Sequence, residues 1–426
     1  MAGPGSTFAN VTDALTLNYD KPFKGKVEWS HGALAAMLTK TKGGGLNCVV
    51  PIRSGVSPAV SSTFTDAQTK ATTQYTKVEQ FLPPWTKKYG VAQIDGLLMA
   101  AASADKGQLF DKFCAQIDGI MDGTMQQFSR DVYGNGYGAY GKVAATGVQT
   151  LASTRLKLAN PEDIVNFQRG QSLILAASDT AAARTSGTPV VVTGIEDLQL
   201  GYITLAANLA TTLSDATYGD SIYVLGNRGV GASPTQLCLN GLDAWFPTTV
   251  PSTTDWATGV DRSADANLRG TIIDASTSTS NMEELVIEAV TSSSRFGGSP
   301  ERMVFFTNNT NYKKMILLGM SKFRPTTTKG PYGIGFQGVK VFTDAGEITV
   351  QPDRFCPVQR SYLLEMSTIK YIGVASASVP DFLIHDENGH VLRMTDADAV
   401  ECRVGYYGAM ACNKPVVNVV VIHSTT

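Results

Sequence analysis

Residues 105–143 read DKGQLFDKFCAQIDGIMDGTMQQFSRDVYGNGYGAYGKV, and the order of the two patterns inside this stretch decides what kind of protein the chain is. Leu109, Phe113, Ile117, Ile120, Met121, Met125, Phe128 and Val132 recur at steps of three and four. At 3.6 residues per turn that spacing lines one apolar stripe along a helix of about seven turns. Asp105 is placed to cap its start and Gly134 to end it. Beyond the helix, Gly136, Gly138 and Gly141 spell G-x-G-x-x-G, and Gly136 to Lys142 reads G-x-x-x-x-G-K. Both fingerprints need a strand before the glycines and a helix after them, so that free helix N–H groups aim at phosphate. Here the helix comes first, the β-branched run KVAATGVQT (142–150) follows, and Val143 stands where a magnesium-binding hydroxyl belongs. The glycines sit at the negative end of a helix dipole, the wrong end for an anion. They read as a helix-to-strand junction packed by Tyr133, Tyr137 and Tyr140, and a nucleotide-binding enzyme built on Gly136–Lys142 is the disfavoured reading.

Upstream, residues 1–43 lack a steady period and read as an N-terminal arm with one short helix around Ser30–Leu38. LNCVVPIRSG (46–55) and QYTKVEQF (74–81) are strand candidates on either side of a Ser/Thr-rich tip, so residues 44–96 form a long hairpin. Such a hairpin holds too few large apolar residues for a core of its own and needs something to lie on. Residues 97–159 carry the helix. Residues 160–250 read as a small all-β module of barrel or sandwich type, with strands in DIVNFQRGQSLILAA (163–177), TPVVVTGIEDLQLGYITLAA (188–207) and GDSIYVLG (219–226). The connector FPTTVPSTTDWATG (246–259) closes it. A mixed α/β region over 251–364 follows, with a helix from Asn281, a buried strand in ERMVFFTN (301–308), a second helix, and a Gly/Pro-rich loop over Arg324–Gly335. Residues 365–426 supply terminal strands, and the fold class is α+β.

Composition narrows the function. Only 17% of residues are charged and the net charge is −2, against roughly 25% charged residues in ordinary globular chains. A surface so poor in charge points to coverage by other subunits. Nothing in the balance suggests a protein that grips nucleic acid backbones. The N-terminus shows no signal-peptide pattern, and the longest apolar run, Val416–Ile422, is far short of the ~20 residues a membrane helix needs. Cys48, Cys114, Cys238, Cys356, Cys402 and Cys412 are scattered and read as small buried hydrophobes.

No catalytic constellation emerges, so the expected catalytic, cofactor and metal residues are none. HDENGH (His385–His390) has two histidines five apart rather than the four of a helical zinc site, and Asn388-Gly389 lies between alternating runs. It reads as a surface hairpin turn. His31 and His423 lie near the termini, no G-x-S-x-G elbow is present, and Glu283-Glu284 complement a helix dipole in a first turn.

The order of these parts resembles tailed-bacteriophage major capsid proteins of the Hong Kong 97-type fold. The resemblance is carried by VVPIRSG in the hairpin, the spine-like helix Asp105–Val132 and TGVDRSADANLRGTIID (258–274). It is carried further by NMEELVIEAVTSSSRFGGSPERMVFFTNNTNYKKM (281–315) and by the closing strands. It covers nearly the whole chain; the departure is the inserted module at 160–250. The resemblance implies an N-terminal arm, an extended hairpin loop, a peripheral domain with the spine helix, an axial domain over 251–364, and terminal strands over 365–426 returning to the peripheral domain. It also implies a non-enzymatic virion capsid subunit, assembled in the host bacterial cytoplasm. The subunit would form pentamers and hexamers of an icosahedral shell around packaged double-stranded DNA, with no cofactor and no membrane. The short non-helical N-terminus leads to the expectation of a separate scaffolding protein, alongside a portal and a decoration or cement protein. An encapsulin-like nanocompartment shell is the alternative within the same fold.

Overall fold

The computed structural model describes residues 32–74, 76–96, 106–148, 150–252, 260–278, 280–319, 339–343, 346–374, 378–382, 391–394 and 397–423. Helix α1 (Ala33–Met37) leads into β1 (Thr39–Gly43), and the hairpin is β2 (Val50–Arg53) paired antiparallel with β3 (Val78–Phe81). Its tip contains a helix, α2 (Phe64–Ala71), where the composition suggested only a polar turn. The chain then enters β4 (Thr86–Asp95) and the long helix α3 (Lys106–Asp131). The expected cap at Asp105 lies outside the described residues.

The first sheet is organised by β19 (Ala399–Cys412), which pairs antiparallel with β4 along one edge, Thr86 opposite Gly408 through to Asp95 opposite Ala399. Its other edge takes β16 (Ile369–Val374), which carries β1 in parallel. Helix α3 lies across this sheet. Phe128 meets the Tyr371 and Tyr406 rings at 5.2 and 5.3 Å, and Ile117, Ile120 and Met121 pack against Ala92, Cys402 and Val404. From Ile117 onward the predicted stripe is thus the packed face, and Met125, Phe128 and Val132 reach the main core.

β17 (Asp381–Phe382) and β18 (Val391–Arg393) both pair antiparallel with β19, opposite Gly405–Val404 and Cys402–Val400. They run in the same direction, end to end along one edge. Among the described residues each of these two strands finds its ladder on the longer strand rather than on the other, and the expected turn at His385–His390 lies outside the described residues.

The β module starts earlier than the expected boundary at 160. Strands β5 (Ala139–Lys142), β6 (Arg155–Lys157), β7 (Ser172–Ala176), β8 (Val190–Asp197), β9 (Tyr202–Leu205) and β10 (Ser221–Val224) pair antiparallel in the order β5-β10-β7-β8-β9-β6. The two ends meet through an antiparallel bridge, Val143 with Leu158, reinforced by Ala159 N–H to Lys142 O at 2.8 Å. The module is a closed barrel, filled by Leu173, Leu175, Val190, Val192, Ile203 and Ile222 among others. Closure needs β5 and β6, whose sequences are too short and glycine-broken to announce themselves as strands.

The chain enters and leaves the barrel side by side at the C-terminal end of α3. Cys238 N–H reaches Gly136 O at 3.0 Å, and Leu242 N–H reaches Val132 O at 2.7 Å, starting the short helix α4 (Leu242–Trp245). Here the glycines of the opening stretch find their use. Gly136 and Gly138 have φ of 89° and 70°, and a Cβ on Gly138 would come within 2.5 Å of Cys238 Sγ. Gly136→Ala would drive its Cβ into the Asn240 side chain. Strain and displacement together cost about 2–4 kcal/mol. Chemical denaturation with an intrinsic fluorescence readout checks this, and a loss below about 1 kcal/mol would sink the packing account.

The remaining sheet is mixed, in the order β11-β20-β15-β12-β14-β13. Its strands are β11 (Thr271–Ala275), β12 (Met303–Thr307), β13 (Val339–Thr343), β14 (Gly346–Pro352), β15 (Arg360–Glu365) and β20 (Val419–His423). Helix α5 (Met282–Arg295) covers it with Met282, Leu285, Val286, Ala289 and Val290, spaced for one helical face. The Glu284 carboxylate accepts from Asn281 N–H at 3.1 Å at its start. Helix α6 (Asn309–Gly319) follows β12. The last strand corrects the expected return of residues 365–426 to the helix-bearing sheet. β16 through β19 do return there, but β20 inserts between β11 and β15, because VVVIH is β-branched and apolar on both faces and belongs inside a sheet covered on both sides. Arg262 ties the segment before β11 to α4, donating to the carbonyls of Leu268, Ala244 and Trp245 at 3.3, 2.9 and 2.5 Å.

Candidate assembly surface

The hairpin has a buried root and a bare tip. Cys48, Val50, Ile52 and Phe81 enter the main core, where the Phe81 ring lies 5.1 Å from that of Trp245. Beyond the root, Ser54 N–H bonds to Lys77 O and the Ser57 hydroxyl to Gln74 O, and then apolar contact ends. Helix α2 buries no residue at all. Val56, Val60 and Phe64 are 77%, 79% and 81% exposed, and Leu46 and Val78 near the root are also exposed. An eight-residue helix with a solvated apolar side chain gains nothing from its own fold that offsets its ordering entropy. Several exposed apolar groups gathered on one extended limb point to a surface made to meet another chain.

The limb is attached to a stiff frame. Directly after it, β4 carries Lys88, whose Nζ lies 3.5 Å from Asp131 Oδ2 and donates to Asn227 Oδ1 at 2.6 Å and Cys238 Sγ at 3.1 Å. Arg130 donates to Asp131 Oδ1 at 2.5 Å and stacks on Tyr140, its guanidinium carbon 3.4 Å from the ring centre. This buried hub joins the hairpin's strand, the C-terminus of α3 and both chain crossings of the barrel. Burial pushes the Asp131 carboxyl up, yet the Lys88 and Arg130 charges outweigh it and leave Asp131 below its ordinary value. Burial, then the Asp131 charge, pushes the Cys238 thiol up to about 11, so it stays neutral. Sequence reading missed the hub, since its members are remote in sequence and no spacing marks them. It did place the tyrosines as packing groups. Tyr133 donates to Asp353 Oδ2 at 2.9 Å, Tyr140 packs on Phe167, and Tyr137 lies against the Ile174–Tyr223 cluster.

The same carboxylate of Asp353 accepts from Leu34 N–H at 3.0 Å, so α1 is pinned to the core at its first turn. Residues 1–31 and the Arg324–Gly335 loop lie outside the described residues. Five cysteines, Cys48, Cys238, Cys356, Cys402 and Cys412, are buried free thiols.

One serine–histidine pair does form: Ser361 Oγ and His423 Nε2 are 2.7 Å apart, with Ser361 also donating to Thr307 Oγ1 at 2.7 Å. Ser361 is fully buried inside the sheet and out of a substrate's reach, so the contact is a core hydrogen bond. Burial and then the Lys314 charge lower the His423 pKa to about 4. A group depressed in the fold contributes stability that is present above its unfolded pKa of about 6.5 and is lost as pH falls toward 4. His423→Gln should remove up to about 3 kcal/mol of acid sensitivity in that window, read as the pH dependence of urea midpoints; an unchanged profile would refute the assignment. Among the described residues no cluster of His, Cys, Asp and Glu is arranged to hold a metal, and no helix is long and apolar enough to cross a membrane.

No protein-family model matches the chain, and no curated protein matches it in sequence. Solved structures do match. The capsid asymmetric unit of cyanophage A-1(L) is 11% identical over 97% of this chain and 98% of that one, with a TM-score of 0.51. The capsid of cyanophage P-SCSP1u is 10% identical over 97% and 94%, with a TM-score of 0.40. An encapsulin of Synechococcus elongatus is 9% identical over 98% and 96%, with a TM-score of 0.43. The likeness to the first of these runs end to end along both chains. The fold of this chain is that of a phage capsid protein.

Proposed function

We propose that the chain is the major capsid protein of a tailed bacteriophage, a non-enzymatic subunit of the Hong Kong 97 type that closes with its copies into an icosahedral shell of pentamers and hexamers. The observation that carries this reading is the hairpin: a limb with an anchored root and an apolar tip that its own chain leaves bare. Laid over a neighbouring subunit, Val56, Val60 and Phe64 would gain the burial they lack, at about 1.5–3 kcal/mol per side chain. In this reading residues 1–43 are an arm, the β2–β3 hairpin within 44–96 is the inter-subunit limb, β4 and the helix-bearing part of 97–159 with most of 365–426 are a peripheral domain, and 251–364 is an axial domain. The barrel is an insertion at the end of the spine helix.

The shell would enclose double-stranded DNA without reading its sequence, and a net charge of −2 suits a container that must release its contents. A separate scaffolding protein, a portal and a decoration protein complete the expected partners, with assembly in the host cytoplasm and residence in the virion. Negative-stain microscopy of the purified chain, with co-expressed scaffold where the phage supplies one, tests the proposal. Hollow shells tens of nanometres across support it; a monodisperse monomer at high concentration under both conditions would overturn it.

A further inference from the structure

The hub holds more positive charge than it neutralises. Lys88, Arg130 and Asp131 are all buried, and two cations face one carboxylate. Their other neighbours, Asn227, Tyr140 and Tyr406, are polar but uncharged, and Cys238 is a neutral thiol. Among the described residues neither Lys88 nor Arg130 has a second acidic partner. A surplus buried charge is costly unless a counter-charge reaches it.

The structure offers a way in. A cavity of about 30 Å³ lies between α3 and the barrel, open on one side to solvent, and Arg130 lines it together with Tyr140, Gln126, Asn166, Gln168 and Gln171. By that measure the cavity has room for a halide ion and one water beside it. The walls are already knitted to one another: Gln126 Nε2 donates to Val165 O at 2.9 Å, Gln168 Nε2 to Gln126 Oε1 at 2.5 Å, and Asn166 Nδ2 to Tyr140 O at 2.9 Å. Asn166 Oδ1 is left buried and without a partner. The neighbouring acids on the barrel side are Glu162 and Asp163, and burial pushes the carboxyls of both up, Asp163 to about 7. Neither carboxylate lines the cavity.

We propose that this cavity binds one small monovalent inorganic anion of halide size, which neutralises the surplus charge of the hub and clamps the barrel to the spine helix. Arg130 supplies the charge and the donors. A water entering with the ion donates one proton to Asn166 Oδ1 and the other to the anion, so that the unpartnered acceptor and the unneutralised cation are satisfied together.

The test compares thermal unfolding of the full-length chain in sodium chloride and in sodium gluconate, a bulky anion, at the same ionic strength of about 0.1 M. Chloride should raise the midpoint by about 1–3 °C for a site half-filled at tens of millimolar. Asn166→Asp places a carboxylate in the cavity and should abolish the difference while keeping the higher midpoint in gluconate. Lys88→Met removes one of the two cations and should also abolish it. Equal midpoints for the wild type in the two salts would overturn the proposal, as would a chloride effect of the same size in Asn166→Asp, which would place the ion elsewhere.

Discussion

Replacing Val56, Val60 and Phe64 together by serine should leave the subunit's unfolding midpoint within about 1 °C of wild type and abolish shell formation. The first half follows from exposure: side chains more than three-quarters solvated in the free chain contribute little to its own stability. The second half follows from what they would bury in a neighbour. Three such side chains are worth roughly 4.5–9 kcal/mol at each contact, a factor of about 10³ or more in affinity, repeated at every subunit. Sedimentation of the assembly reaction reads the outcome directly. Shells at wild-type yield would show that the limb is ornamental. A large drop in the midpoint would show that the tip packs within its own chain.

The largest loss of stability is expected at the hub. Asp131→Ala strips Lys88 and Arg130 of their shared carboxylate while leaving both buried, which costs about 3–5 kcal/mol. Because three groups share one network, the effects should not add. Asp131→Asn combined with Lys88→Met, which removes a charge of each sign, should be less destabilising than the sum of the single changes by about 1–3 kcal/mol. Urea denaturation of the four proteins closes the cycle. An additive result would mean that Lys88 and Asp131 do not sense one another across 3.5 Å.

The two experiments probe different links of one chain of cause. Lys88 sits on the strand that begins five residues after Phe81 at the hairpin root, and its ammonium holds Asn227 at the barrel's exit. A limb that grips a neighbour is useful only when its root is stiff, and the hub, the Phe81–Trp245 contact and the Asp353 anchor of α1 supply that stiffness from three directions.

What could be read from the residues alone was whatever depends on near neighbours along the chain. The 3.6-residue recurrence from Ile117 to Val132 gave the helix and its buried face, and the helix-before-glycine order argued against a phosphate loop at Gly136–Lys142. The small number of large apolar residues between Leu46 and Phe81 foretold a limb without a core of its own. Periodicity, capping and turn chemistry act over one to four residues, so the linear string contains them. Three other features rest on pairings between distant segments. β5 and β6 close the barrel, β20 crosses into the mixed sheet, and Lys88 meets Asn227 and Cys238 from 139 and 150 positions away. For those, the sequence offers many partners of similar local merit. The choice among them falls to burial and to charge compensation, which exist only once the chain has folded.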